Sequence, residues 1–183
     1  MRITAGKAKG HQLHIPTIPN LRPTKSMVRQ AIFSILAPIL PQARVLDLFA
    51  GSGSLGIEAL SRGAEKVDFV DINPRACEAI RLNLQHTRFL GRGRIFCQSA
   101  EDFLRSAPPA QYHLILADPP YDLAIEHLLI KAAPKLKTNG ILVYLHARKK
   151  VFPPLAGLQW EETRHYGITG VSFFSRPAPP PTG

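Results

Sequence analysis

The sequence predicts an α/β fold: a mostly parallel seven-stranded sheet with helices on both faces and a small N-terminal β-hairpin or arm. Three observations predict it. From Ala43 onward, short apolar runs alternate with segments of helical period, the rhythm of a parallel sheet with crossover helices. The stretch VLDLFAGSGSLGIEAL at 45–60 reads as a strand, a glycine turn and a helix. The last two apolar runs are separated only by a turn at 167–170, short enough for an antiparallel hairpin.

The elements follow in order. Residues 1–16 hold two short runs, RITAG and HQLHIP, around Lys7, Ala8, Lys9 and Gly10, which suggests a basic hairpin within an arm over 1–20. Residues 25–36 place Met27, Val28, Ala31, Ile32, Ile35 and Leu36 on one helical stripe, and Pro38 stops it. ARVLDLF is a strand, 55–62 a helix, KVDFVDI a strand, 74–86 a helix and RIFCQS a strand. A short helix over 101–105, the strand YHLILA, a helix over 123–132 and the strand GILVYLHA continue the pattern. LQWEETRHYG and ITGVSFFSR close it. The tail RPAPPPTG cannot enter a sheet interior, so a single domain over 1–176 followed by a disordered proline-rich segment at 177–183 is expected.

Composition narrows the class. Hydrophobic residues at 45% and charged residues at 20%, with no apolar run near the ~20 residues of a membrane helix, indicate a chain that stays in water. The opening MRITAGKAKGHQLHIP is basic but lacks the apolar core of a secretory signal, so a cytoplasmic location is expected. Cys77 and Cys97 have no CxxC neighbour and sit in apolar patterns, which predicts two core thiols. Lysine and arginine total 23 against 13 acids, a net charge of +10, and such an excess favours a polyanionic partner such as nucleic acid.

The glycine loop carries the first chemistry. Gly51 and Gly53 permit positive φ and close approach of a ligand, and Gly56 lets the following helix lie against its strand. Asp71 ends the next strand 20 residues after Gly51, about the ~20-residue spacing at which an acid meets ribose hydroxyls. A dinucleotide needs its pyrophosphate at the helix N-terminus, where the Asp47 carboxylate would repel it and attract a cation instead. S-adenosylmethionine carries ribose and an ammonium and no phosphate, so it fits the pattern. Its adenine is expected near 98–102, where Glu101 and Asp102 either contact the ring or cap the short helix.

ADPPYD at 117–122 carries the second. In an open α/β sheet, ligands bind beyond the carboxyl ends of the strands, and Asp118 falls at such an end. A carboxylate and the Pro119 carbonyl can accept both hydrogens of an exocyclic amine and aim its lone pair at an electrophilic methyl. The prolines fix that carbonyl because their φ is locked. Tyr121 can stack on an extruded base. No metal is expected, because a sulfonium is already an activated leaving group and no ligand cluster is apparent.

Together these residues resemble class I S-adenosylmethionine-dependent methyltransferases of exocyclic amines, with their D/N-PP-Y/F signature and Rossmann-like fold. LRPTKSMVRQAIFSIL, VLDLFAGSGSLGIEALSRGA, DPPY and RHYG are more closely similar to the bacterial small-subunit ribosomal RNA guanine-N2 methyltransferase family known as RsmD. The resemblance implies that Asp47, Phe49, Ala50, Gly51 and Gly53 hold the cofactor. Asp71, Ile72, Ala100, Glu101 and Asp118 would continue its site, and Arg22 and Thr24 would line or cover it. Asp118, Pro119, Pro120 and Tyr121 would hold the target guanine. Arg2, Lys7, Lys9, His11, Lys25 and Arg29 would face RNA, and a monomer acting on ribosomal RNA, the small ribosomal subunit or its assembly intermediate would follow. Gln30 and Ser99 depart from the family's usual acids. The rivals are a DNA adenine-N6 methyltransferase, which needs a recognition domain that 183 residues scarcely allow, and a non-catalytic ribosome assembly factor, which needs neither DPPY nor the cofactor loop.

Overall fold

The computed structural model describes residues 1–17 and 26–178. The apolar runs form β1 (Arg44–Leu48), β2 (Lys66–Asp71), β3 (Gly93–Cys97), β4 (Tyr112–Ala117), β5 (Leu136–Ala147), β6 (Gln159–Tyr166) and β7 (Thr169–Ser175). Between them lie α1 (Ser26–Ile35), α2 (Ser54–Ser61), α3 (Pro74–His86), α4 (Ala100–Ser106) and α5 (Glu126–Ala132). All seven strands share one sheet, in the order β3-β2-β1-β4-β5-β7-β6. β1 to β5 run parallel, and β7 inserts antiparallel between β5 and β6. The chain winds outward one way from β1 and the other way from β4, so a crevice opens beyond the carboxyl ends of these two neighbours.

Strand alternation feeds two cores. Val45, Phe69, Leu114, Leu116 and Val143 pack with Ile32, Phe33, Ile57 and Ile80 on the α1, α2 and α3 side. Leu46, Leu48, Val70, Ile115 and Tyr144 pack with Phe103, Leu104, Leu128 and Leu129 on the α4 and α5 side. Strands covered on both faces need apolar residues at nearly every position, which is why these runs read so clearly.

Local chemistry sets most boundaries. Asn73 accepts from the Arg75 amide and Pro74 occupies the first helical turn, so α3 covers the expected 74–86. Three expectations shift. α5 begins at Glu126 rather than near 123, because the preceding residues form a turn in which the Leu123 amide donates to Pro120 O (3.0 Å). The final turn is tighter than expected: Thr169 pairs with Tyr166, leaving Gly167 and Ile168 as its two central residues. Cys77 is buried but Cys97, the last residue of the edge strand β3, is exposed. The described part of the tail, 177–178, is exposed and without regular structure; residues 179–183 lie outside the described residues.

The basic arm closes on itself through an antiparallel bridge between Arg2 and Gln12. Ile3, Ala8 and Leu13 are buried beneath it. Its anchor is Glu58 of α2, fully buried, which accepts from the Thr4 amide (2.9 Å), the Thr4 hydroxyl (2.6 Å), the Ala5 amide (3.2 Å) and Arg62 Nε (2.8 Å). Arg29 completes this cluster and corrects the expectation of an RNA-facing residue. It is 0% exposed, its Nε lies 3.5 Å from Glu58, and its Nη2 donates to Arg2 O (2.6 Å). The reason is helical period: Arg29 shares the inner face of α1 with Val28, Ile32 and Phe33. Burial pushes its guanidinium pKa down, and Glu58 opposes that shift.

Glu58→Ala is expected to cost about 3–5 kcal/mol, because it leaves a buried guanidinium uncompensated and strips the arm of its acceptors. Urea unfolding read as a shift in midpoint checks this, and a loss under about 1 kcal/mol contradicts it.

Candidate active site

β1, β2 and β4 each deliver a carboxylate to the crevice. Asp47 points to the α2 side of β1, is 1% exposed, and its Oδ2 accepts the Gly56 amide (2.8 Å). Its Oδ1 is buried without a hydrogen-bond partner. Asp71 ends β2, with Oδ2 accepting from Gly51 N (2.8 Å) and Oδ1 from Asn73 N (2.9 Å). Asp118 follows β4 and is close enough to raise the Asp47 pKa electrostatically.

Between β1 and α2 the backbone makes a tight left-handed path, with φ of +62° at Phe49, +56° at Gly51 and +76° at Gly53. Glycine adopts such angles freely, whereas Phe49 stores strain on the order of 1–3 kcal/mol, a cost typical of ligand-binding turns. Ala50 N donates to Val70 O (3.0 Å), which ties the loop to β2. Gly56 lets α2 approach: a Cβ there would lie 2.3 Å from a Phe69 ring carbon.

This geometry selects ligand charge. The amides of Gly51 in the loop and Gly56 in the first turn of α2 already serve carboxylates, so they are not available to a pyrophosphate. Burial first, then Asp118 and Asp71, push the Asp47 carboxyl well above its ordinary range, while the Gly56 amide opposes. Three acids around one crevice suit a cation, whose arrival favours the charged form of Asp47 and frees its unpartnered buried oxygen to accept. Ile72, 71% exposed directly after Asp71, presents an apolar face beside them.

The remaining expected residues fall into several environments. Ala100 is buried in the first turn of α4, which Ser99 caps by accepting the Asp102 amide (3.0 Å). Glu101, expected to contact an adenine or to cap α4, pairs with Lys131 of α5, with His127 3.6 Å away. Pro119 is buried and Pro120 exposed. The Tyr121 hydroxyl shares a hydrogen bond with Thr169 Oγ1 (2.8 Å), the first residue of β7. Thr169 had no local signal, since its partner is 48 residues away. Arg2, Lys7 and Lys9 are exposed on the arm, and His11 is half-buried with its ring 5.2 Å from that of His86. Arg22, Thr24 and Lys25 lie outside the described residues.

A family profile described as Conserved hypothetical protein 95 matches residues 1–175. The chain belongs to that family. The chain is 32% identical over 178 residues to Ribosomal RNA small subunit methyltransferase D of Escherichia coli K12, covering 94% of this chain and 87% of that protein. It is 36% identical over 155 residues to the Haemophilus influenzae protein of the same name, covering 81% and 79%. Among solved structures it superposes on the yhhF methyltransferase candidate of Escherichia coli with a TM-score of 0.86 and 26% identity, covering 98% of this chain and 99% of that one. A Haemophilus influenzae methylase candidate gives 0.81 and 27%, covering 97% and 99%. The fold is that of the class I methyltransferases. Among the described residues, no helix is long and apolar enough to cross a membrane.

Because Asp47 holds a proton in the folded state at pH values where the unfolded chain has released it, stability falls as pH rises from the ordinary carboxyl value, about 4, toward the raised one. Asp47→Asn is expected to abolish that part of the slope. Melting temperatures of both proteins between about pH 4 and 8 test this, and parallel profiles contradict it.

Proposed function

We propose that this protein transfers a methyl group from S-adenosylmethionine to the exocyclic N2 amine of a guanine in small-subunit ribosomal RNA. The observation that carries the proposal is the meeting, at one sheet switch point, of the carboxylate-held glycine loop and the DPPY turn. The names of the relatives supply the substrate class.

The residues present fit the cofactor. Each Asp71 oxygen accepts one backbone amide and keeps a second lone pair for a ribose hydroxyl. Ile72 offers its exposed face to an adenine, and the unpartnered Asp47 oxygen suits an ammonium. When bound, S-adenosylmethionine supplies a methyl group already activated by its sulfonium. Arg22 and Thr24, Phe49 and Ala50 complete the proposed enclosure.

The chain's own task is positioning. The base is extruded, stacks on Tyr121, and gives its two N2 hydrogens to the Asp118 carboxylate and the Pro119 carbonyl. That arrangement turns the nitrogen lone pair toward the methyl, and holding the reactants in line supplies most of the rate. The surplus proton of the methylated amine leaves after transfer, through Asp118 or to water. The arm cations Arg2, Lys7 and Lys9, with Lys25, contact phosphates of ribosomal RNA within a small subunit or its assembly intermediate. The protein acts as a monomer of one domain over 1–176, in the cytoplasm.

Methyl transfer from labelled S-adenosylmethionine to small subunits, naked ribosomal RNA and DNA, followed by nucleoside analysis, tests the proposal. N2-methylguanosine from the ribosomal substrates is expected; methyladenine from DNA overturns the substrate assignment. Asp118→Asn is expected to lower kcat on the order of 10²-fold while cofactor affinity holds. Near-normal turnover by that variant removes Asp118 from its role.

A further inference from the structure

The two-residue turn between β6 and β7 carries an apolar side chain that its backbone does not need. Gly167 takes the positive φ, +60°, and a turn with that residue at its first central position places no such demand on the second. Ile168 occupies the second position and is 63% exposed.

The turn is held on three sides. The Arg148 amide donates to Ile168 O (2.8 Å), Arg148 Nη1 donates to Gly167 O (3.2 Å), and Thr169 shares its hydroxyl bond with Tyr121 (2.8 Å). Ile168 is therefore fixed one residue from the anchor of the ring that receives the base. Arg148 and Lys149 are exposed beside it. Lys150 is used differently: it pairs with Glu126 (2.9 Å) and donates to Leu123 O (3.3 Å), bracing the segment after the DPPY turn and neutralising its nearest acid. Asp122 is a further exposed acid of that segment, so phosphates are favoured on the 148–149 side.

We propose that Ile168 is an intercalating wedge that enters the RNA stack where the target guanine has left it, while Arg148 and Lys149 grip the phosphates of the flanking nucleotides. This inference rests on the proposed methylation of RNA. Extruding a base sacrifices its stacking, and an apolar side chain in the gap offsets part of that loss. Mounted on the strand that anchors Tyr121, the wedge and the stacking ring act at a fixed separation. Two exposed cations at the same rim supply the phosphate contacts that hold the strand while its base turns out.

Single-turnover methylation and RNA binding, measured with wild type and three variants, test it. Ile168→Ala is expected to lower the single-turnover rate on small-subunit ribosomal RNA at least tenfold with cofactor affinity unchanged. The same variant regains most of that rate on a short single-stranded oligonucleotide containing the target, where little stacking must be broken; Ile168→Met keeps the wild-type rate on both. The double change Arg148→Glu, Lys149→Glu is expected to weaken RNA binding at least tenfold and flatten its salt dependence. Wild-type rates for Ile168→Ala on ribosomal RNA, or an equal loss on both substrates, overturn the wedge. Unchanged RNA affinity in the double variant overturns the phosphate grip. Absence of label in RNA from wild type overturns the methylation proposal itself, a different result from active wild type with indifferent variants.

Discussion

Everything at the crevice depends on two carboxylates that take up backbone amides of the glycine loop and of the helix turn that follows it. Asp47 and Asp71 reach from neighbouring strands to Gly56 and Gly51, 2.8 Å in each case, and hold the β1–α2 connection in its left-handed path. Without those acceptors the strained Phe49 would have no reason to persist, since a relaxed loop recovers its cost. The same bonds decide what the loop can receive. An anion meets amides already satisfied; a cation displaces the proton of Asp47 and meets an oxygen with no partner.

A second fixed point lies behind that loop. Glu58 of α2 gathers the arm, Arg62 and Arg29, so α1 and the first residues of the chain are fastened to the helix that the glycine loop begins. A charged cluster inside the protein is a costly means of attachment, and it succeeds here because almost every donor finds an acceptor.

The sheet was legible because β1, β2 and β4 are covered on both faces, and α3 because Asn73 and Pro74 mark its start locally. Asp47, Gly51, Gly53, Asp71 and Asp118 were legible as a group because strand ends in an open α/β sheet meet at one place. What stayed hidden depended on distance along the chain. Arg29 reads as a solvated cation unless its stripe with Val28 and Ile32 is given more weight than its charge. Glu101 reads as a ligand or a cap because Lys131 is 30 residues away. The late start of α5 follows from the turn that DPPYD spends before the helix can begin. Thr169 leaves no trace near Tyr121 at all.

The hydroxyl bond between Tyr121 and Thr169 has an effect on which partner must deform. The ring is held at one end by the Pro119–Pro120 backbone and at the other by a strand paired with β5 and β6 along its length. A platform fastened at both ends does not move to meet a nucleotide. For an RNA substrate, the bending and unstacking then fall on the nucleic acid, so stiffness becomes a criterion of choice. Nucleotides in pliant loops or at weak stacking steps come to the ring cheaply, and the same base within a rigid helix is passed over although every contact it could make is identical.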